Sequence, residues 1–113
     1  MTPDALSAII GEEAALSLMA QRAGLRVYIP KTITERIVEE CGGDRKAAAK
    51  LCELFGGEFV IFPAGRRWRA EALLRRGLSL RDVAMTVGMT RRRVVQIASE
   101  TRLHPDYPGR DVA

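Results

Sequence analysis

A chain of 113 residues that is 47% hydrophobic but only 5% aromatic holds one domain or two small lobes. Its core must come mostly from Leu, Ile, Val, Met and Ala, and the composition excludes wholesale disorder. No apolar run is as long as a membrane span and the first residues lack a basic-then-apolar signal, so a soluble cytoplasmic protein without a membrane partner is expected. The net charge of +4 is unevenly spread, with −2 over residues 1–63 and +7 over residues 64–103, where ten arginines face three acidic residues.

Thr2-Pro3-Asp4 opens a helix with a capping threonine, a proline in the first helical position and an acid near the positive helix end. This helix is expected to run to about residue 22. Leu6, Ile9, Ile10, Leu16, Leu18 and Met19, placed at about 100° per residue, spread around most of the cylinder. Such a helix is buried on more than one face, and a partner subunit is a natural source of the second face. Gly24 ends it, and LRVYI over 25–29 reads as a strand before Pro30, which cannot donate to a continuing ladder.

Thr32-Ile33-Thr34-Glu35 has capping-box spacing and opens a short helix that stops at Gly42-Gly43. Asp44 caps a third helix through about residue 55, with Ala47, Ala48, Leu51, Leu54 and Phe55 at helical spacing. Gly56-Gly57 terminates it, and EFVIF over 58–62 reads as a second strand before Pro63.

A shift of 33 residues aligns Ala14 with Ala47, Ala15 with Ala48, Leu18 with Leu51, Gly24 with Gly57, Val27 with Val60, and Pro30 with Pro63. Chance similarity of two short helix–strand units is the competing reading. Two copies are too few for a solenoid. Two equivalent strands are expected to pair with each other, within one chain or between subunits, under the cover of the amphipathic helices.

Ala64-Gly65 is a joint, after which a basic helix begins at Arg66-Arg67-Trp68-Arg69 and continues to Arg76, with Ala70, Leu73 and Leu74 inward. Gly77 closes it and Ser79 caps the next helix. Residues 80–97, LRDVAMTVGMTRRRVVQI, then place a small residue (Ala84) at a helix crossing, Gly88 in a turn, and Val94 and Ile97 to lock a second helix. That layout is a helix-turn-helix, with a basic helix presented to a DNA major groove. After Leu103 the residues HPDYPGRDVA read as a flexible tail over 104–113. The domains expected are therefore a duplicated helix–strand region over 1–63, a helix-turn-helix lobe over 64–103, and the tail.

Thr90 is expected to cap the recognition helix, with its first-turn amides where a phosphate or base edge approaches. Arg91, Arg92, Gln96 and Ser99 face outward with Val95, and Arg93 lies near the rim. Arginine reads guanine and glutamine reads adenine in bidentate fashion. Arg91, Arg92 and Gln96 are assigned to bases and Arg93 to phosphate, with an all-phosphate role for the arginines as the alternative. Arg66, Arg67 and Arg69 either grip the DNA backbone or minor groove as a basic arm, or are solvated. Trp68 fits the lobe's core better than a stacking platform.

No Ser/His/Asp set, phosphate-binding glycine loop or metal cluster is apparent, so neither enzyme activity nor a cofactor is expected. Cys41 and Cys52 lack His or Cys partners at metal spacing and read as reduced core thiols. The pairs Glu12-Glu13 and Glu39-Glu40 read as solvated helix faces.

AAKLCELFGGEFVIFPAG followed by RRWRAEALLRRGLSLRDVAMTVGMTRRRVVQI resembles the Mor/C family of phage-type transcription activators, over roughly residues 37–101. The shared pattern is a helix, a Gly-Gly stop, a strand ending in proline, a basic helix and the helix-turn-helix. The resemblance implies a mainly α fold: an N-terminal helical dimerisation region with short antiparallel β-strands, then a C-terminal three-helix lobe. It also implies a homodimer with strands paired between subunits. Leu18, Leu51, Val27, Tyr28, Phe59, Val60 and Ile61 are the positions expected at the dimer contact. Two lobes would then engage adjacent major grooves of promoter DNA as an inverted repeat, in contact with RNA polymerase in a bacterial host cytoplasm. The strand linker over 57–63, with Arg66 and Arg67 beside it, would also help contact DNA.

The segment GEEAALSLMAQRAGLRVYIPK departs from the family by looking like a second helix–strand copy. If the copies pair within one chain, the intersubunit pairing is altered or lost. The function expected is a sequence-specific DNA-binding transcription regulator. A protein-interaction scaffold, or a DNA-binding accessory factor of phage recombination or packaging, are the alternatives.

Overall fold

The computed structural model describes residues 1–103, so the tail expected over 104–113 lies outside the described residues. Among the described residues the fold is mainly α, with seven helices and two short antiparallel strands. The chain forms two compact units, the first being Met1–Gly65 and the second beginning at Arg66.

The first unit opens as its residues dictate. Thr2 accepts from the Ala5 amide at 3.1 Å, and Pro3 starts helix α1 (Pro3–Ile10). The helix expected to continue to residue 22 instead breaks at Gly11, and α2 (Glu12–Arg22) begins immediately after it. Gly11 sits at φ +89°, ψ 158°, a region that only glycine occupies without a cost of about 1–3 kcal/mol. Its amide still donates to Ser7 O at 2.7 Å, and its carbonyl receives Ala15 N at 3.0 Å, so neither helix end is orphaned. The break also corrects the expectation of one helix buried on several faces. Leu6 and Ile10 form the buried stripe of α1, and Ala14, Ala15, Leu18 and Met19 that of α2. Two singly buried helices need no partner subunit for a second face.

Strand β1 (Arg26–Tyr28) comes next, then α3 (Glu35–Glu40), α4 (Arg45–Phe55) and β2 (Phe59–Ile61). The cap of α3 is Thr34, which accepts from Ile37 N at 3.3 Å, rather than the Thr32 of the capping-box reading. Asp44 caps α4 as expected, accepting from Ala47 N at 3.0 Å. Leu54 falls on the outer side of α4 and is exposed, and Cys52 takes the inward place.

The 33-residue repeat maps α2 onto α4 and β1 onto β2 residue for residue. The strands pair within this chain: Arg26 lies opposite Ile61, Val27 opposite Val60, and Tyr28 opposite Phe59. Val27 therefore faces its own counterpart, which places a local two-fold axis between Val27 and Val60. The flanking hydrogen bonds obey the same axis. Gly24 N donates to Phe62 O at 2.9 Å and its counterpart Gly57 N to Ile29 O at 2.7 Å. Ile29 N donates to Glu58 O at 2.9 Å and its counterpart Phe62 N to Leu25 O at 3.2 Å. Helix contacts are reciprocal too, with α1 and α3 each packed on both α2 and α4. Ala14 and Ala47, Ala15 and Ala48, Leu18 and Leu51, and Ile29 and Phe62 are buried in matching pairs.

One element breaks this symmetry. Glu40, read from sequence as part of a solvated face, is buried, while its neighbour Glu39 is exposed. Its carboxylate accepts from Arg22 Nε at 2.7 Å and also from Arg22 Nη2, and from Arg36 Nη1 at 2.9 Å. The Glu40 carbonyl accepts from Ser17 Oγ at 2.9 Å and Gln21 Nε2 at 3.3 Å, so α2 and α3 are joined by both charge and hydrogen bonds. A buried carboxylate survives only when so satisfied.

In the second unit, α5 (Arg66–Arg75), α6 (Leu80–Val87) and α7 (Arg91–Thr101) pack pairwise. Their shared core is Ala70, Leu74, Leu80, Val83, Ala84, Val87, Val94, Ile97 and Ala98. Ala72 is also fully buried, and Leu73 only partly.

Replacing Glu40 with Ala should lower the unfolding free energy by about 1.5–3 kcal/mol, because charged hydrogen bonds are lost while the half-exposed arginines can rehydrate. Urea denaturation monitored by circular dichroism checks this; a change under ~0.5 kcal/mol would return Glu40 to the solvated class.

Candidate nucleic-acid interface

The second unit positions one helix face for contact. Ser79 caps α6, accepting from Asp82 N at 3.0 Å. At its other end Gly88 takes a left-handed conformation, φ +79° and ψ 38°, with its amide and that of Met89 both donating to Ala84 O at 3.0 Å. A Cβ at Gly88 would meet no neighbouring atom within 4 Å, so the demand for glycine is one of backbone conformation. Thr90 then caps α7 as expected, accepting from Arg93 N at 3.1 Å. Val94, Ile97 and Ala98 are fully buried, which fixes the rotation of α7 and turns the opposite side outward.

Arg91, Arg92, Gln96 and Ser99 are exposed on that side, and Arg93 and Val95 are half-buried. Arg92, Val95, Gln96, Ser99 and Glu100 line one open depression. No ion pair among the described residues engages Arg91 or Arg92. Arg93 Nη1 donates to Gln96 Oε1 at 3.0 Å. This bond uses one lone pair of the amide oxygen and leaves the other, with the Gln96 amide donors, for a ligand. Bidentate reading of adenine uses that oxygen as an acceptor and the amide as a donor, and its second lone pair allows this while the Arg93 bond is kept.

The three arginines of α5 do not behave as one arm. Arg66 is exposed. Arg67 is exposed but committed, with Nε on Glu71 at 2.9 Å and Nη1 on Glu100 at 3.1 Å, and these carboxylates raise its pKa. It ties the start of α5 to the end of α7. Arg69, expected at DNA or in solvent, is only 7% exposed and donates from Nη2 to Thr86 O at 3.4 Å, near the end of α6. Burial, then the charge of Arg66, lowers the pKa of Arg69. Two sequence signals carry these placements. Arg67 and Glu71 stand at ion-pair spacing on a helix, and Arg69 shares a stripe with Ala72 and Leu73. Trp68 is partly buried.

The dimerisation positions divide as well. Leu18, Leu51 and Val27 lie inside the first unit, and Val60 is half-buried. Tyr28, Phe59 and Ile61 are exposed on the outer face of the ribbon, where Tyr28 meets Phe59 edge-on at 5.3 Å and Arg26 lies 4.2 Å over the Phe59 ring. The strand pairing implied between subunits is found within the chain.

Among the described residues no group of three or more His, Cys, Asp or Glu side chains is arranged to hold a metal ion, and no helix is long and apolar enough to cross a membrane. Both cysteines are buried and unpaired. Burial, then the carboxylates of Asp44 and Glu40 and the neighbouring Cys52, push the Cys41 thiol up to about 12.

Two outcomes are expected, one for this unit and one for the thiols. Arg69→Ala should destabilise the lobe by about 1.5–3 kcal/mol while leaving the salt dependence of any DNA binding unchanged; a shallower slope would restore Arg69 to a phosphate. At pH 8 the folded chain should resist alkylation by iodoacetamide at Cys41 and react only when denatured, as read by mass spectrometry. Because the folded thiol binds its proton more tightly, the stability it contributes is complete below pH 9 and is lost as pH rises towards 12.

The chain matches no family model, no curated protein and no solved structure.

Proposed function

We propose that this chain is a sequence-specific double-stranded-DNA-binding transcription regulator, similar to the Mor-type activators of phage or prophage genes. The observation that carries the reading is the outward face of α7: a threonine-capped helix start, then exposed Arg91, Arg92, Gln96 and Ser99, with Val94, Ile97 and Ala98 locked in the core behind them. Helix starts attract phosphate, and guanidinium and carboxamide groups match base edges in the major groove. The excess of +7 over residues 64–103 supplies the neutralisation that duplex binding requires. Arg66, Arg91, Arg92 and Arg93, with Thr90, Gln96 and Ser99, are the phosphate and base candidates that remain after Arg67 and Arg69 are assigned to the lobe itself. Contact with RNA polymerase belongs to the same reading, and a promoter reporter tests it.

Fluorescence anisotropy on a duplex recovered from a random pool tests the central claim. Binding should weaken steeply with salt. Arg92→Ala or Gln96→Ala should cost about 1–3 kcal/mol on the recovered site and less on unrelated duplex. Equal loss on every sequence would leave these side chains on phosphate. No retention on duplex DNA at low salt would instead favour a protein-interaction scaffold.

A further inference from the structure

The first unit spends on itself the surfaces that two subunits would otherwise share. Its two helix–strand copies close around the axis at Val27–Val60, with reciprocal hydrogen bonds on both sides and the twin side chains Leu18 and Leu51 fully buried. The two copies lead to different elements. Pro30 connects the first to α3 and the second copy, whereas Pro63 connects the second to α5 and the three-helix lobe. The described residues thus hold two copies of the pairing unit and one recognition helix.

Resting on the DNA-reading function proposed above, we infer that the chain reads DNA as a monomer with a single head, so that its target is one undivided half-site and not an inverted repeat. Competition between internal and external pairing favours this outcome. Joined in one chain, the two strands see each other at an effective concentration of order mM, about a thousandfold above a partner chain at micromolar concentration. Opening the ribbon for a second chain would also expose Val27, Ile29 and Phe62, all buried in the closed unit. The four side chains left on the outer ribbon face are Arg26, Tyr28, Phe59 and Ile61; the Arg26 guanidinium lies over the Phe59 ring, and the three apolar side chains stay exposed as a small patch. A single head forgoes the avidity of a second, so its binding should be weaker than that of a two-headed reader by a factor of about 100 or more.

The test has two arms on the full chain. Arg26→Cys with Ile61→Cys places thiols at exposed positions opposite each other across the ribbon, a pair with spacing suited to a disulfide. Oxidation at micromolar concentration should give a cross-link within one chain, and sedimentation of the unaltered protein should give 12.5 kDa. Selection from a random duplex pool should return one ungapped motif, saturating at one chain per duplex. A cross-link between chains, a mass of two chains, two chains per duplex, or an inverted repeat at fixed spacing would each overturn the single-head inference. Loss of all duplex binding by a chain that is monomeric and cross-linked internally would refute the DNA-reading function as well. Two chains per duplex would refute the single head alone.

Discussion

The antiparallel pairing of residues 26–28 with residues 59–61 sets the geometry of the first 65 residues. Three-residue strands have little stability of their own, so the ribbon holds only because its inner face is covered. Val27, Ile29 and Phe62 turn inward and are buried. A slip of one residue would drive Arg26 and Tyr28 into that core and expose Val27, which is why the register is unique. Once the register puts Val27 against Val60, the positions of α2 and α4 are set, and α1 and α3 can each bridge both.

The second unit solves a different problem with equally few residues. A helix that reads DNA, the role proposed for α7, must be rigid from behind and open in front. Ala84 and the left-handed Gly88 allow α6 to turn tightly into α7, and Val94, Ile97 and Ala98 remove its freedom to rotate. Arg67 adds a strut between α5 and α7 through Glu71 and Glu100. Buried Arg69 ties α5 to α6 through the Thr86 carbonyl. The basic character of this unit is therefore shared between its own cohesion and the face it presents, and net charge alone does not tell the two apart.

Local rules make much of this legible. Thr2, Asp44, Ser79 and Thr90 all cap the helices that their side-chain chemistry predicts, and the 33-residue spacing anticipates two equivalent strands. Gly11 is harder to read because a lone glycine in a helical pattern is usually tolerated; only its φ of +89° shows that it divides the helix. Once divided, the scattered apolar residues resolve into two ordinary stripes. Glu40 and Arg69 elude sequence reasoning for a shared reason. Charged residues are assigned to solvent by default, and their burial depends on partners distant in the chain: Arg22 for Glu40, and the carbonyl of Thr86 for Arg69. The Thr34 cap, two residues from the capping-box start, shows the usual latitude of helix boundaries.

Glu40 has a consequence for how this chain can change over time. In an assembly of identical subunits, every substitution appears twice about the axis and must be tolerable on both sides. Here the two halves are written separately. Counting back 33 residues from Glu40, Arg36 and Phe55 reaches Ser7, Pro3 and Arg22, so the charged cluster has no image across the axis. A single-sided salt network of this kind is open only to a fused pair, where one half can acquire a buried charge while the other keeps an apolar or neutral residue. The symmetric backbone is thus a frame on which the two halves are free to diverge.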